Sequence, residues 1–348
     1  IAMLTPQTEH QTKFVAIAQE LAPRFAERAA IHDRDGSFPH ENFAEIRAAG
    51  LPSLIIPESR GGWGAGLLDT VMTMEALAQG DGSTALSLTM HMQTMGSVFE
   101  KETWPEPLLA GICREIVQEG ALINACATEP ELGSPSQGGK PKTTATPEDN
   151  DMWRISGRKN FASMSPTLDY YIIPAALQDG SDMVARFVVP NSDQIEIVET
   201  WDALGMRATG SHDIVLHDVV VPAANIMGRS DSSAPNKGHS VNAWFLLTVS
   251  AVYLGVAEAA LQSAASYANQ RVPTALGRPI ATLANIQRQL GQAALAIHQS
   301  QVLLYSAANQ WDTLPEQRLT LGNAVIAAKV TATNHAIDAV DHCLRAVG

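Results

Sequence analysis

The sequence predicts an α+β protein, mainly α, in three parts. These are an N-terminal helical domain over residues 1–120, a middle antiparallel β-barrel or sandwich over 121–230, and a C-terminal helical bundle over 231–348. Two observations carry this reading. The spacing of apolar residues changes from three-and-four to alternate positions at Ala121 and reverts after Pro222. Between those points Gly, Pro, Asp and Asn punctuate short β-rich runs, as they do in antiparallel architectures.

In the first part, Phe14, Ile17, Ala18, Leu21 and Phe25 define an amphipathic helix that extends from about Pro6 to Ala49. The turn-rich HDRDGSFPHE interrupts it, and His32 with Asp33 and Asp35 reads there as solvated. The loop Gly61–Gly66 lacks the spacing of a phosphate cradle and reads as a turn. Two helices follow from Leu67 to about Glu100, broken at Gly80–Thr84, where Asp81 or Ser83 would cap the second. Met90, Met92 and Met95 read as adaptable core filling. Trp104–Gln118 is a further helix, with Pro105 where a first turn tolerates it.

The β-part contains INACATEP, WRISGRKNFAS, Tyr170–Ile173, Val184–Val189, Ile195–Val198 and Ile214–Val221, with a polar hairpin tip at Glu148–Asp151. Helical patterns then occupy about Gly238–Gln270, Ala281–Asn309 and Pro315–Ala346. Short links between long helices make a bundle. Within the first of these, Ser240–Ala257 carries no charge, but it holds Asn242, Thr248 and Ser250 and runs on into Glu258. It is read as a buried core helix and not a membrane span.

The totals exclude some classes of function. A net charge of −13 argues against a general binder of nucleic acid or anionic membrane, which need compensating positive charge. Three dispersed cysteines (Cys113, Cys126 and Cys343) form no zinc or disulfide pattern and suggest a reducing, cytoplasmic setting. No basic-then-apolar leader begins at Ile1. His212 and His217 lie five apart on one strand and point to opposite faces, so no metal site is expected.

Three phrases together resemble the acyl-CoA dehydrogenase superfamily across essentially the whole chain. The first is Pro57-x-x-x-Gly61-Gly62-x-Gly64 followed by EALAQGDGSTAL. The second is Ala127-Thr128-Glu129-Pro130 with Gly133-Ser134, then Trp153-x-Ile155-x-Gly157-x-Lys159. The third is Leu204-Gly205-Met206-Arg207-x-Thr209-x-Ser211, ending in Val219-Val220-Val221-Pro222. The resemblance implies FAD held between the β-domain and the bundle, in a homotetramer or homodimer. By position, Ala127 and Thr128 would contact the flavin ring. Ser134 would serve the pyrophosphate side and the substrate, and Phe161 and Ser163 the other ring face. Phe161 stands where many members carry Trp. Arg271 stands where the family places an arginine that reaches the pyrophosphate of a neighbouring subunit's FAD.

What the resemblance implies for chemistry is α,β-oxidation of a CoA thioester, with a carboxylate as base, hydride transfer to flavin N5 and electron-transfer flavoprotein as acceptor. The catalytic residue is unassigned. One family base position reads Phe245, beside Leu246; the other lies beyond Gly348, which aligns with the first glycine of the pair preceding it. A second branch, the two-component flavin monooxygenases, takes reduced flavin from a partner reductase. It resembles this chain at DGSTALSLTMH and at FAS, where His91 would donate a hydrogen bond to a flavin hydroperoxide near the substrate. A flavin-binding module without catalysis is a third reading.

Overall fold

The computed structural model describes residues 5–101, 104–132, 139–231 and 241–348. The helices are α1 (Glu9–Asp35), α2 (His40–Ala48), α3 (Leu67–Ala78), α4 (Gly82–Lys101), α5 (Glu106–Glu119), α6 (Ala243–Gln270), α7 (Ala284–Thr313) and α8 (Gly322–Val347). The strands are β1 (Ile123–Ala125), β2 (Thr144–Glu148), β3 (Met152–Ala162), β4 (Tyr170–Leu177), β5 (Met183–Pro190), β6 (Ile195–Val198), β7 (His212–Pro222) and β8 (Ile226–Asp231). The chain folds as two compact units.

One unit takes residues 1–30, 65–89 and 240–348. Helices α6, α7 and α8 pack on one another, and α3 lies against α6 and α7. The sequence sets how close these helices come. A Cβ at Gly255 of α6 would sit 2.1 Å from the Glu75 carbonyl oxygen of α3, and one at Gly80 would sit 2.1 Å from the Ala22 carbonyl oxygen. No other residue allows either approach. The start of α3 is capped from α7: Asp312 accepts from the amides of Leu67 and Leu68, both at 2.9 Å. Asp81 caps α4 in the same way, accepting from Ser83 at 3.0 Å and Thr84 at 3.1 Å. Helix α6 is long and apolar enough to cross a membrane, with a best-window mean hydropathy of 1.7. Its buried residues, Ala243 through Ala268, pack inside this unit as those of a core helix do.

The other unit takes residues 31–64 and 90–239. Its centre is a sheet in the order β6-β7-β3-β2-β4-β5-β8, with β1 also on β4. Alternate inward residues such as Ile155, Tyr171, Ile173, Phe187 and Val189 form the core. The sheet is mixed where sequence patterning predicts antiparallel strands: β1 and β2 both run parallel to β4. Strand periodicity fixes which face a side chain takes, not which neighbour its strand finds. Arg47 of α2 ties this unit's helices to the sheet, donating to Gly120 O at 2.7 Å, Thr167 O at 2.8 Å and Asp169 Oδ2 at 3.0 Å.

His32 is buried, not solvated, because α1 continues through Asp35 and carries the ring inward. Its nitrogens meet Ser37 Oγ at 2.8 Å and Glu41 Oε1 at 3.2 Å.

Candidate functional site

The pairing of β1 and β2 with one strand creates the site's first component. β1 occupies the first half of that edge of β4, with Ile123 opposite Tyr170 and Ala125 opposite Ile172. β2 occupies the second half, with Thr144 opposite Ala176. Glu129, four residues beyond the end of β1, is tied to the residues that lead into β2 and to β3. Its carboxylate accepts from Lys159 Nζ of β3 at 2.7 Å, Thr143 Oγ1 at 2.6 Å and N at 3.1 Å, and Lys142 N at 2.6 Å. Lys159 also donates to Pro174 O at 2.8 Å, so both buried charges are satisfied. Burial pushes the Glu129 pKa up, but Lys159, the Thr143 hydroxyl and the Lys142 amide outweigh it and hold the carboxyl below its ordinary value.

The second component is the end of β3. Asn160 N donates to Thr128 O at 3.0 Å, which ties the stretch holding Ala127 and Thr128 to the end of β3, where Phe161 and Ser163 follow. A register shift against β7 between Lys159 and Ala162 turns Phe161 outward, where it is 57% exposed. Its φ of 55° lies in the left-handed region, a strained place for a bulky residue. Ser163 N closes the turn on Phe161 O at 2.9 Å, and Met164, also left-handed at φ 67°, donates N–H to Thr209 O at 3.0 Å. Trp201 stands edge-on to Phe161 with ring centres 6.0 Å apart.

Behind Ser163 runs a file of hydroxyls. Ser163 Oγ lies 2.8 Å from Ser211 Oγ, which lies 2.7 Å from Thr209 Oγ1, and Thr209 donates to the Met206 carbonyl at 3.1 Å. Ser211 and Thr209 are buried; Ser163 is partly exposed. Sequence reading missed Trp201, Thr209 and Ser211 as site residues, although all three lie in the phrase TWDALGMRATGS. Arg207 of that phrase is structural: it donates to Asp33 O and Ala203 O, both at 2.7 Å.

The structure thus joins the stretch holding Ala127 and Thr128, through Asn160, to the end of β3 that carries Phe161 and Ser163. Ser134 lies outside the described residues. Arg271 is exposed at the C-terminal end of α6, where its carbonyl accepts from Ile280 N at 3.0 Å. His91 is corrected. It is fully buried, its Nε2 donates to Pro52 O at 3.0 Å, and its Nδ1 accepts from Ile123 N at 3.1 Å. Both nitrogens serve the fold, and burial pushes its pKa down to about 4, so it stays neutral and has no proton to offer a substrate. Two buried acids, Glu129 and Glu258, are also engaged. Glu129 holds Lys159, and Glu258 accepts from Gln79 Nε2 at 2.5 Å and from Gln301 Nε2. Phe245 lies in the first turn of α6, 41% exposed.

A flavin ring fits what the sheet end offers. Phe161 presents a flat aromatic face to solvent, beside backbone groups and short hydroxyls. Asn160 Oδ1 is shut off from solvent and has no hydrogen-bond partner among the described residues, as an acceptor waiting on a ligand donor would be.

The sequence matches three family descriptions: acyl-CoA dehydrogenase, N-terminal domain (residues 8–111), middle domain (124–219) and C-terminal domain (246–348). "Putative acyl-CoA dehydrogenase YdbM" of Bacillus subtilis (strain 168) is 36% identical over 342 residues, 98% of this chain and 88% of that protein. Dibenzothiophene monooxygenase of Mycolicibacterium goodii is 25% identical over 365 residues, 99% of this chain and 86% of that one. Among solved structures, KijD3 in complex with FMN and a dTDP-linked amino-keto sugar superposes with a TM-score of 0.84 at 27% identity, covering 99% of this chain and 85% of that one.

Proposed function

The chain belongs to the acyl-CoA dehydrogenase superfamily, and on that premise we propose that it oxidises a CoA thioester at bound FAD. The observation that carries the flavin part is the sheet-end platform: outward Phe161, with Ser163 turned back on it and Thr128 bonded to the preceding Asn160. FAD, when bound, supplies a two-electron acceptor. Phe161 gives an apolar face for a ring, and the ends of β1 and β3 give backbone hydrogen-bonding groups. Arg271 is the residue we assign to the FAD pyrophosphate of a second copy. Assembly as a homodimer or homotetramer fits the apolar stripe Ile326, Val330, Ile337 and Leu344 along α8, each at least 44% exposed. The three free buried thiols fit a cytoplasmic setting.

Dehydrogenation needs a carboxylate within reach of the substrate α-proton. Phe245 cannot take a proton, and Glu129 and Glu258 are held in buried hydrogen bonds, so this reading assigns the base to none of the three. That same observation favours a second reading, in which reduced flavin arrives from a reductase and reacts with O₂, as the similarity to a monooxygenase also suggests.

One experiment separates the two. Protein purified with FAD is titrated anaerobically with a series of saturated acyl-CoAs, then supplied with reduced flavin and O₂. Bleaching by an acyl-CoA supports dehydrogenation, with an electron-transfer flavoprotein as acceptor. FAD that stays oxidised across every chain length removes that reading. Substrate-dependent consumption of O₂ with reduced flavin then establishes the second.

A further inference from the structure

The turn that follows β3 is held by a side chain from another strand. Phe161 and Met164 both lie in the left-handed region, at φ 55° and 67°. Strained residues so close together persist only where their surroundings hold them. Here the peptide unit between Ser163 and Met164 is gripped at both ends. Its N–H, on Met164, donates to Thr209 O at 3.0 Å, and its C=O, on Ser163, accepts from Asn124 Nδ2 at 3.0 Å. A carbonyl can only accept, so the amide nitrogen of Asn124 is the end that faces it. Asn124 is the middle residue of β1, paired with Tyr171 of β4, and is 3% exposed. An amide so buried cannot trade this bond for one to bulk water. Rotation of the gripped unit is how Met164 would regain an ordinary φ. Phe161, whose carbonyl accepts from Ser163 N at 2.9 Å, would move with it.

We propose that Asn124 is a positioning residue, which from β1 holds the strained turn that points Phe161 outward and so sets the apolar face offered to a flavin. The flavin part rests on the reading of Phe161 given above. The hold on the turn is a property of the flavin-free protein and stands apart from it. It also accounts for a buried polar side chain in the short strand β1, between Ile123 and Ala125.

The test begins without flavin. Protein labelled with fluorophenylalanine is followed by fluorine NMR, and the Phe161 signal is identified by its loss in Phe161→Leu. Trp201, edge-on at 6.0 Å, gives that signal a ring-current shift that reports the orientation of the ring. Asn124→Ala should move or broaden the Phe161 signal and leave that of Phe14, in the helical unit, in place. Asn124→Ser keeps a polar group but shortens its reach, and gives the same result should the alanine variant not fold. Each should weaken FAD binding on the order of fivefold to tenfold, the usual worth of one hydrogen bond. Phe161→Gly should weaken it as well, and Asn124→Ala added to Phe161→Gly should weaken it no further, because both act through one ring. An asparagine that merely stabilised the fold would give losses that add. A Phe161 signal unmoved in both Asn124 variants overturns the hold, whatever FAD does. If the signal moves but Phe161→Gly binds FAD as tightly as the wild type, the flavin reading falls and takes the binding role of Asn124 with it.

Discussion

Lys159 Nζ stands 2.7 Å from Glu129 Oε1, and neither side chain reaches solvent. The pair joins β3 to the segment that carries Ala127 and Thr128, so it couples stability to the shape of the proposed flavin platform. Lys159→Met would strand a buried carboxylate. The expected loss is about 3–5 kcal/mol of stability, read from the urea midpoint, together with weakened FAD retention. The double variant Lys159→Met with Glu129→Gln should recover part of that loss, because no charge is then left unpaired. A single variant with an unchanged midpoint would remove the clamp from this account. Glu129 sits below its ordinary pKa, so its contribution is present at neutral pH and is lost as pH falls through the folded value.

Phe161 tests whether strain serves binding. At φ 55° a phenylalanine costs about 1–2 kcal/mol relative to a residue indifferent to handedness. Phe161→Gly should therefore hold or raise the unfolding midpoint of the flavin-free protein while weakening FAD binding. Tighter binding in the glycine variant would show that the ring obstructs the site and does not support it.

Gly255 reports on the helical unit. A methyl group there would meet the Glu75 carbonyl oxygen at 2.1 Å, which neither backbone can absorb without moving α6 away from α3. Gly255→Ala should cost about 1–3 kcal/mol or more despite alanine's better helix propensity. A midpoint equal to or above that of the wild type in thermal unfolding would contradict the close approach.

The sequence makes some of this legible and hides the rest for physical reasons. The change of period at Ala121 and the apolar run of α6 are repeated signals, and they locate the sheet and the core helix. β2 and β8 are missed because TATPE and IMGRSD carry Pro, Gly and charge in place of alternating apolar residues. The link of Thr128 to the end of β3 depends on one backbone bond, from Asn160, between segments distant in sequence, which no local pattern encodes. Ser211 and Thr209 lie within a readable phrase, but their link to Ser163 exists only once β3 and β7 pair. His91 misleads for the opposite reason: its spacing suits a ligand, whereas its role is to tie Pro52 to Ile123.

Glu75 and Glu258 form the most pH-sensitive feature of the helical unit. Glu75 of α3 accepts from Gln301 Nε2 at 2.7 Å and Tyr305 Oη at 2.8 Å, and the same Gln301 also donates to Glu258. Both acids are buried, and the described residues lining the 220 Å³ cavity beside them include no cation. Two carboxylates so placed cannot both ionise cheaply. Burial first, then the neighbouring Glu75, pushes Glu258 up to about 9, and burial raises Glu75 as well. The sign follows from proton counting. Between the ordinary carboxylate value and about 9 the folded state binds a proton that the unfolded state has released, so stability falls as pH rises through that window. The slope approaches at most about 1.4 kcal/mol per pH unit for one proton. Glu258→Gln keeps the shape and mimics the protonated acid. It should flatten the urea midpoint between pH 5 and 8 (about the range of ordinary buffers) and stabilise the protein most at the upper end. A variant whose midpoint follows the wild-type pH profile would mean that Glu258 does not hold the proton.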